Sequence, residues 1–216
     1  MAIVCTVNAG GAQANSTTVA VVLTGVVAGS RIVVEVGSFG MASIGAVADN
    51  QNGAYTKDKE ATDAGGSRSG IFSVANAYTG NLTITFTPPS SGYIWVSAAE
   101  YTGVHATYAD NSSATDDGYS NSPNPGNCTP SVAALVVAVF ATGSGDLSTT
   151  PSGYTVIRDN GTPPGGSAYK IQSGTGQENP TWTKTTTSYW NACLASYKPA
   201  AAGGGATNVV YMIFES

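Results

Sequence analysis

Two glutamates inside apolar segments are the first candidates for chemistry. Glu35 lies in segment 31–39 and Glu100 in segment 93–102, both rich in β-branched and aromatic residues. Two carboxylates can hydrolyse a glycosidic bond when roughly 5–9.5 Å separates them across a cleft. The internal repeat described below places Ala138 and Ser196 at the equivalent positions, so neither glutamate has a matching partner. We therefore expect outward-facing strand carboxylates, hydrogen-bonded or at an interface.

A nucleophilic triad is the second candidate. His105 is the only histidine, so a Ser-His-Asp arrangement would have to use it, and the chain has no G-x-S-x-G motif. We expect a loop histidine after Gly103 and Val104, and we expect the protein not to be an enzyme.

Two acidic segments could offer oxygen ligands to calcium. Asp49-Asn50-Gln51-Asn52-Gly53 departs from the EF-hand pattern at its third and fifth positions and fits a hairpin turn instead. Asp110, Asp116 and Asp117 form a second cluster, for which a solvated loop is the expectation. We predict no metal site and no cofactor.

Aromatic residues could stack against a sugar. The chain has three tryptophans and eleven tyrosines. Trp182 matches Phe86 in the repeat, and both occupy alternating-strand positions that predict burial. Trp95 lies on the opposite strand face from Ile94 and Val96, so it is the tryptophan we expect to be exposed and the candidate ligand-binding residue.

Composition restricts the partners. Hydrophobic residues make up 42% of the chain and charged residues only 10%, with a formal net charge of −5. Such a chain offers no basic stripe for a phosphate backbone, so we expect no nucleic acid partner. No apolar run is long enough for a membrane span. A surface rich in Ser, Thr, Asn and Gly is typical of extracellular or virion β-proteins.

The cysteines and the first residues suggest where the protein is made. Cys5, Cys128 and Cys193 lack metal-ligand spacing, and we expect free, mostly buried thiols; one bridge plus one free thiol is the alternative. The first residues lack the basic and apolar regions of a signal peptide. Synthesis in a cytoplasm and later export within an assembly fits this pattern, as does removal of a leader.

The chain also repeats. Segment 93–102 aligns with 189–198, Phe86 aligns with Trp182, and segment 32–34 aligns with 135–137, in the same order along the chain. Both copies are rich in strand-forming residues. We predict one β-module built twice, with internal repeats at about 31–103 and 132–198.

The pattern of turns and strands predicts an all-β fold. Leu82, Ile84 and Phe86 alternate with threonines, which predicts a strand with one buried face. Segment 132–140 is apolar on both faces and predicts a strand covered on both sides. Ten prolines and 27 glycines break the chain at short intervals. We predict a two-sheet antiparallel β-sandwich, jelly-roll-like, over residues 1–199, built from two pseudo-symmetric repeats that bury each other.

The C-terminal residues differ from the rest. Residues 200–216 begin with a flexible alanine and glycine linker and continue into an apolar strand-forming segment at 208–214. Such a strand needs a partner to avoid aggregation. We expect it to pair with its own sheet or with a neighbouring subunit. The candidate partner-binding residues are Val209, Tyr211, Ile213 and Phe214.

Several motifs resemble a known family over roughly residues 17–199. They are the hairpin at 47–56, the strand motifs at 69–72 and 82–87, the closing motif Ala-Ala-Glu-Tyr-Thr-Gly-Val at 98–104, and the second-half motifs at 151–155 and 195–197. They resemble β-sandwich modules of bacterial surface proteins and of phage decoration, fibre and tail accessory proteins. The resemblance implies a fold and specifies no chemistry.

The leading functional expectation is a non-enzymatic structural protein of a virion or surface assembly. It would dock on a capsid or other lattice protein, or on copies of itself, at a virion surface or extracellular appendage. The alternative is a carbohydrate-binding adhesion module that recognises a surface glycan through exposed aromatic residues.

Overall fold

A computed structural model describes residues 2–105, 113–159, 161 and 164–201. All regular elements in these residues are strands. They are β1 Val4–Ser16, β2 Val19–Val26, β3 Arg31–Phe39, β4 Ala46–Asp49, β5 Gly53–Ala54, β6 Thr56–Thr62, β7 Ser67–Ala75, β8 Gly80–Thr87, β9 Gly92–Thr102, β10 Ser113–Ser120, β11 Leu135–Thr142, β12 Leu147–Thr149, β13 Thr155–Asp159, β14 Gly165–Ile171, β15 Thr183–Lys184 and β16 Ser188–Tyr197.

The strands form antiparallel sheets that pack against one another. The first central sheet has the order β1-β9-β3-β7-β6, and the second central sheet has the order β10-β16-β11-β14-β13. The outer sheet has the order β2-β8-β4-β5, and β12 pairs with β15 in a short sheet. The predicted all-β antiparallel sandwich is confirmed, but its strands form four sheets rather than two.

A first hydrophobic core lies between the outer sheet and the first central sheet. Leu82, Ile84 and Phe86 of β8 are fully buried in it, whereas Thr83 and Thr87 on the same strand are exposed. The predicted alternation is therefore confirmed. Each residue that turns inward removes apolar surface from water, which stabilises the pair of sheets.

A second core joins the two central sheets face to face. The first central sheet contributes Val33 and Tyr101, and the second contributes Val137 and Tyr197. Because each central sheet has a further core on its other side, the central strands are buried on both faces. All residues of Leu135–Thr142 are buried, which confirms the prediction for 135–140. Val132, at the start of the predicted run, is exposed and precedes the strand.

A third core covers the far side of the second central sheet. Trp182 packs there against Phe140, with ring centroids 4.9 Å apart, and Trp190 and Cys128 belong to the same cluster. The predicted burial of Trp182 is confirmed. Cys5, Cys128 and Cys193 form no disulfide within the described residues, and two of them are buried, as expected.

The two central sheets share an order that follows the repeat. Segment 31–39 forms the third strand of the first central sheet, and the matching segment 135–142 forms the third strand of the second. Strands β9 and β16, which contain the closing motifs, both lie second. The duplication itself stays a prediction. The residues between the two copies include the strand Ser113–Ser120, which forms an edge of the second central sheet.

The ends of both copies meet at one end of the stack. Val104 forms an isolated bridge with Pro199, and the amide of Ala200 donates to the carbonyl of Gly103 over 2.7 Å. Ile3 packs into the second core beside them. The last described residue, Ala201, therefore lies at this end of the strands.

Candidate functional site

Trp95 is fully buried, so the prediction that it is exposed is wrong. A Cβ at Gly37 would lie only 2.2 Å from its indole nitrogen, and one at Gly165 would lie 2.9 Å from it. The guanidinium carbon of Arg158 lies 4.8 Å from the ring centroid. The second central sheet covers the face of β9 that was predicted to meet solvent. Trp95 stabilises the sheet interface and offers no surface to a ligand.

Glu35 is buried between the central sheets, not outward-facing as predicted. The hydroxyl of Ser97 donates to its Oε2 over 2.9 Å, and Ser97 in turn lies 2.9 Å from the hydroxyl of Ser167 on the second central sheet. Its other oxygen, Oε1, has no hydrogen-bond partner. Burial raises the pKa of Glu35 to about 8, against the smaller opposing effect of the Ser97 hydrogen bond.

Glu100 is also buried, but on the opposite face of the same sheet. It lies directly across from Ile32, whose side chain belongs to the first core. The amide of Val27 donates to its Oε1 over 2.7 Å, and Thr6 donates to its Oε2 over 2.5 Å. The two glutamates are hydrogen-bonded, as expected, but the sheet separates them. They cannot flank one glycosidic bond.

A polar cluster connects the central sheets at the end near Ala201. The hydroxyl of Tyr197 donates to Oδ2 of Asp58 over 2.6 Å, and Ser73 donates to the same oxygen. Arg31 donates to Ser73 over 2.8 Å and to the carbonyl of His105 over 3.2 Å. Burial raises the pKa of Asp58 despite these hydrogen bonds. The predicted loop histidine thus contributes a backbone acceptor to a structural cluster.

Asp49 closes the predicted hairpin turn. Its Oδ1 accepts from the amides of Gln51 and Asn52, and its Oδ2 accepts from the side chains of Asn52 and Tyr55. Burial acts to raise the pKa of Asp49, but these hydrogen bonds outweigh it and lower the pKa. Gly53 pairs with Asp49 across the three-residue loop 50–52. It has a φ of 78°, a left-handed conformation that glycine adopts most readily. Because both oxygens are occupied, this carboxylate serves the turn.

The second acidic cluster is divided. Asp116 and Asp117 are exposed on the edge strand β10, and Asp110 lies outside the described residues. Among residues 2–105, 113–159, 161 and 164–201, no group of acidic, histidine and cysteine side chains could hold a metal ion.

An open groove lies between the central sheets, at the end opposite Ala201. Three aromatic residues and several hydroxyl-bearing residues line this aromatic groove, which has a volume of about 330 Å³. The aromatic residues are Phe39, Tyr119 and Tyr189. The rings of Tyr119 and Tyr189 stand 4.9 Å apart at 63°. Sequence analysis missed this site because its residues come from separate strands and no local motif marks them.

A buried lysine supports the wall of the aromatic groove. Lys184 donates from Nζ to the hydroxyl of Thr142 over 3.1 Å and to the hydroxyl of Ser188, and Ser188 donates to the carbonyl of Ser144 over 3.0 Å. Burial lowers the pKa of Lys184 to about 8, and the charge of Asp63 opposes part of this shift. The lysine fixes the position of the Ser188 hydroxyl.

The solvent face of the outer sheet is uncharged. Alanine, valine, threonine and asparagine side chains alternate with the buried residues of β2, β8 and β4. Val22 is 49% exposed in the middle of this face, directly across from Thr83. We call this surface the neutral face; its exposed residues on the long strands are Ala20, Val22, Thr24, Asn81, Thr83 and Thr87.

Comparison with models of known protein families found no match, and comparison with curated proteins found no significant match. In the described part of the chain, no helix could cross a membrane. The C-terminal candidates Val209, Tyr211, Ile213 and Phe214 lie outside the described residues.

Proposed function

We propose that the protein is a non-enzymatic structural protein of a virion or surface assembly, of the decoration or accessory type. The observation that carries this proposal is the neutral face. Cores of protein interfaces are depleted of lysine, glutamate and aspartate. The solvent face of an antiparallel sheet, by contrast, normally carries polar and charged side chains. An uncharged face centred on the exposed Val22 therefore fits a docking surface.

The interior supports a structural role by making the docking surface rigid. The first core backs the neutral face along the length of β2 and β8. The second core and the polar clusters then hold the first central sheet against the second. A preorganised surface binds with a smaller entropic cost than a flexible one. The proposed partner is a capsid or other lattice protein, or a second copy of the chain.

The C-terminal segment supplies the second half of the proposal. We propose that the strand-forming residues 208–214 add to a sheet edge of a neighbour, with Val209, Tyr211 and Ile213 filling pockets on one face. The glycine and alanine linker at 200–206 would keep the segment at a high local concentration near its target. The protein would then act at a virion surface or extracellular appendage.

Electron microscopy of native particles tests the location. Immunogold labelling with an antibody against this chain should decorate particles in negative stain. Particles that carry no label, with the protein recovered only in the unassembled fraction, would contradict the proposal.

Lysine substitutions test the neutral face. Val22→Lys combined with Thr83→Lys should abolish co-sedimentation with the particle, because two charges would be buried without partners. Thr56→Lys is the matched control, since Thr56 is exposed on a different sheet. Normal co-sedimentation of the double variant would show that docking uses another surface.

Deletion of residues 203–216 separates the two roles of the C-terminal segment. A folded monomer that no longer assembles would identify the segment as an anchor. Continued assembly with lower stability would mean that the segment completes its own sandwich, and the docking role would be wrong.

A further inference from the structure

We propose that the aromatic groove binds a neutral saccharide. This inference goes beyond the proposed structural role and uses different residues from the tryptophan that the sequence favoured. Phe39, Tyr119 and Tyr189 are 36%, 64% and 45% exposed. The strands β3 and β16, which carry Phe39 and Tyr189, are otherwise mostly buried, and Tyr119 joins these two rings from the exposed edge strand β10. Exposed aromatic rings gathered at one concave place indicate a binding surface.

The arrangement of the rings suits a sugar. Tyr119 and Tyr189 meet at 63°, so they form two walls at an angle and not one flat surface. The apolar face of a pyranose can lie against one aromatic wall, while the tyrosine hydroxyls remain available at the edge.

Hydroxyl groups complete the site. Ser67 lines the groove, and its hydroxyl is buried without any hydrogen-bond partner. A buried polar group without a partner is costly, so this serine points to a ligand that supplies one. Ser188 also lines the groove, and Lys184 and Ser144 hold its hydroxyl in place. Sugar hydroxyls can both donate to and accept from such groups.

Charge and size select the class of sugar. None of the residues that line the groove is charged, so an acidic or basic sugar would lose hydration without gaining an ion pair. The volume of about 330 Å³ lies at the small end of the range for ligand sites. A monosaccharide or the terminal unit of a neutral oligosaccharide fits both observations.

The groove depends on both halves of the protein. A Cβ at Gly143 would lie 2.4 Å from the ring of Phe39, and one at Gly65 would lie 2.9 Å from Cβ of Tyr189. Phe39 of the first half therefore packs on a glycine of the second half, and Tyr189 of the second half packs on a glycine of the first half. These contacts fix the walls before any ligand arrives, which lowers the cost of binding.

A glycan array carrying neutral, sialylated and sulfated oligosaccharides tests the proposal with the full chain. We expect binding to neutral glycans, followed by calorimetric titration with the free sugar of the strongest one. Tyr119→Ala should weaken this affinity about tenfold or more. Val22→Ala is the control, because Val22 is similarly exposed but lies on the outer sheet and does not line the groove.

Ser67→Ala separates binding from folding. The Ser67 hydroxyl is buried without a hydrogen bond, so its removal takes away an unfavourable term; the variant should have a urea midpoint equal to or above that of the wild type while its sugar affinity falls several-fold. Binding that Tyr119→Ala and Ser67→Ala leave unchanged would overturn the proposal. No binding to neutral glycans, binding to acidic glycans alone, or a groove occupied by a protein partner in the assembled particle would also overturn it. Particle labelling tests the structural role independently of these results.

Discussion

Replacing Glu35 with glutamine tests the buried carboxylate between the central sheets. Burial raises the pKa of Glu35 from 4.5 to about 8 in the folded protein, whereas in the unfolded chain the pKa returns to its ordinary value. Between these two values the folded state holds a proton that the unfolded chain has released. Stability therefore falls as the pH rises through this window.

The magnitude follows from the size of the shift. Each pH unit within the window costs roughly 1.4 kcal/mol, so the whole window corresponds to on the order of 5 kcal/mol. The contribution is fully present below about pH 4.5 and is lost above about pH 8. Glutamine has nearly the same shape and does not titrate. Its oxygen can accept from Ser97, as Oε2 of Glu35 does.

Urea unfolding followed by tryptophan fluorescence at several pH values between 5 and 8 measures the effect. We expect Glu35→Gln and the wild type to have similar stability near pH 5, with the variant more stable by several kcal/mol near pH 8. Asp58 also has a raised pKa, but it is present in both proteins and cancels in the difference. A difference between the two proteins that stays constant across this pH range would refute the assigned burial of Glu35.

Three further substitutions test packing and the hairpin turn. Trp95→Ala should lower the free energy of unfolding by about 3–5 kcal/mol, whereas Tyr93→Ala on the same strand should change it by about 0.5 kcal/mol or less; equal urea midpoints would contradict this placement. Trp182→Ala should also cost about 3–5 kcal/mol, and an unchanged melting temperature would refute its burial. Asp49→Ala should cost about 1–3 kcal/mol, because the donors of the turn lose their acceptor, and calcium should not change the melting temperature of the wild type; a calcium-dependent rise would contradict the assignment of both oxygens to the turn.

The sequence predicted strands well where the residue types along one strand show how each of its faces is covered. Leu82, Ile84 and Phe86 alternate with threonines, and the burial of β8 follows this alternation. The apolar run that contains β11 likewise predicted a strand covered on both faces. In both cases the residue types along a single strand carry the information, because each side chain reflects what covers it.

The same reasoning failed for Trp95 and Glu35. Alternation identifies residues that share a face, but it does not show what lies beyond that face. The face with Trp95, Ser97 and Glu35 mixes polar and apolar residues and therefore resembles a solvent face. Its polar groups find partners on the second central sheet, such as Ser167, which is distant in sequence. The aromatic groove was not predicted because its residues also come from segments that are distant in sequence.

The two ends of the stack give the molecule a direction. Strand β9 runs from Tyr93, which lies across from Phe39 of the groove, to Thr102 beside the contacts of Gly103 and Ala200. At about 3.4 Å per residue this separation is roughly 30 Å. If the residues after Ala201 hold the protein on a lattice and the groove holds a glycan, the two attachments lie at opposite ends of the strands. Tension between the two attachments would then run along the strands and load their perpendicular hydrogen bonds in shear, so that many bonds would resist together.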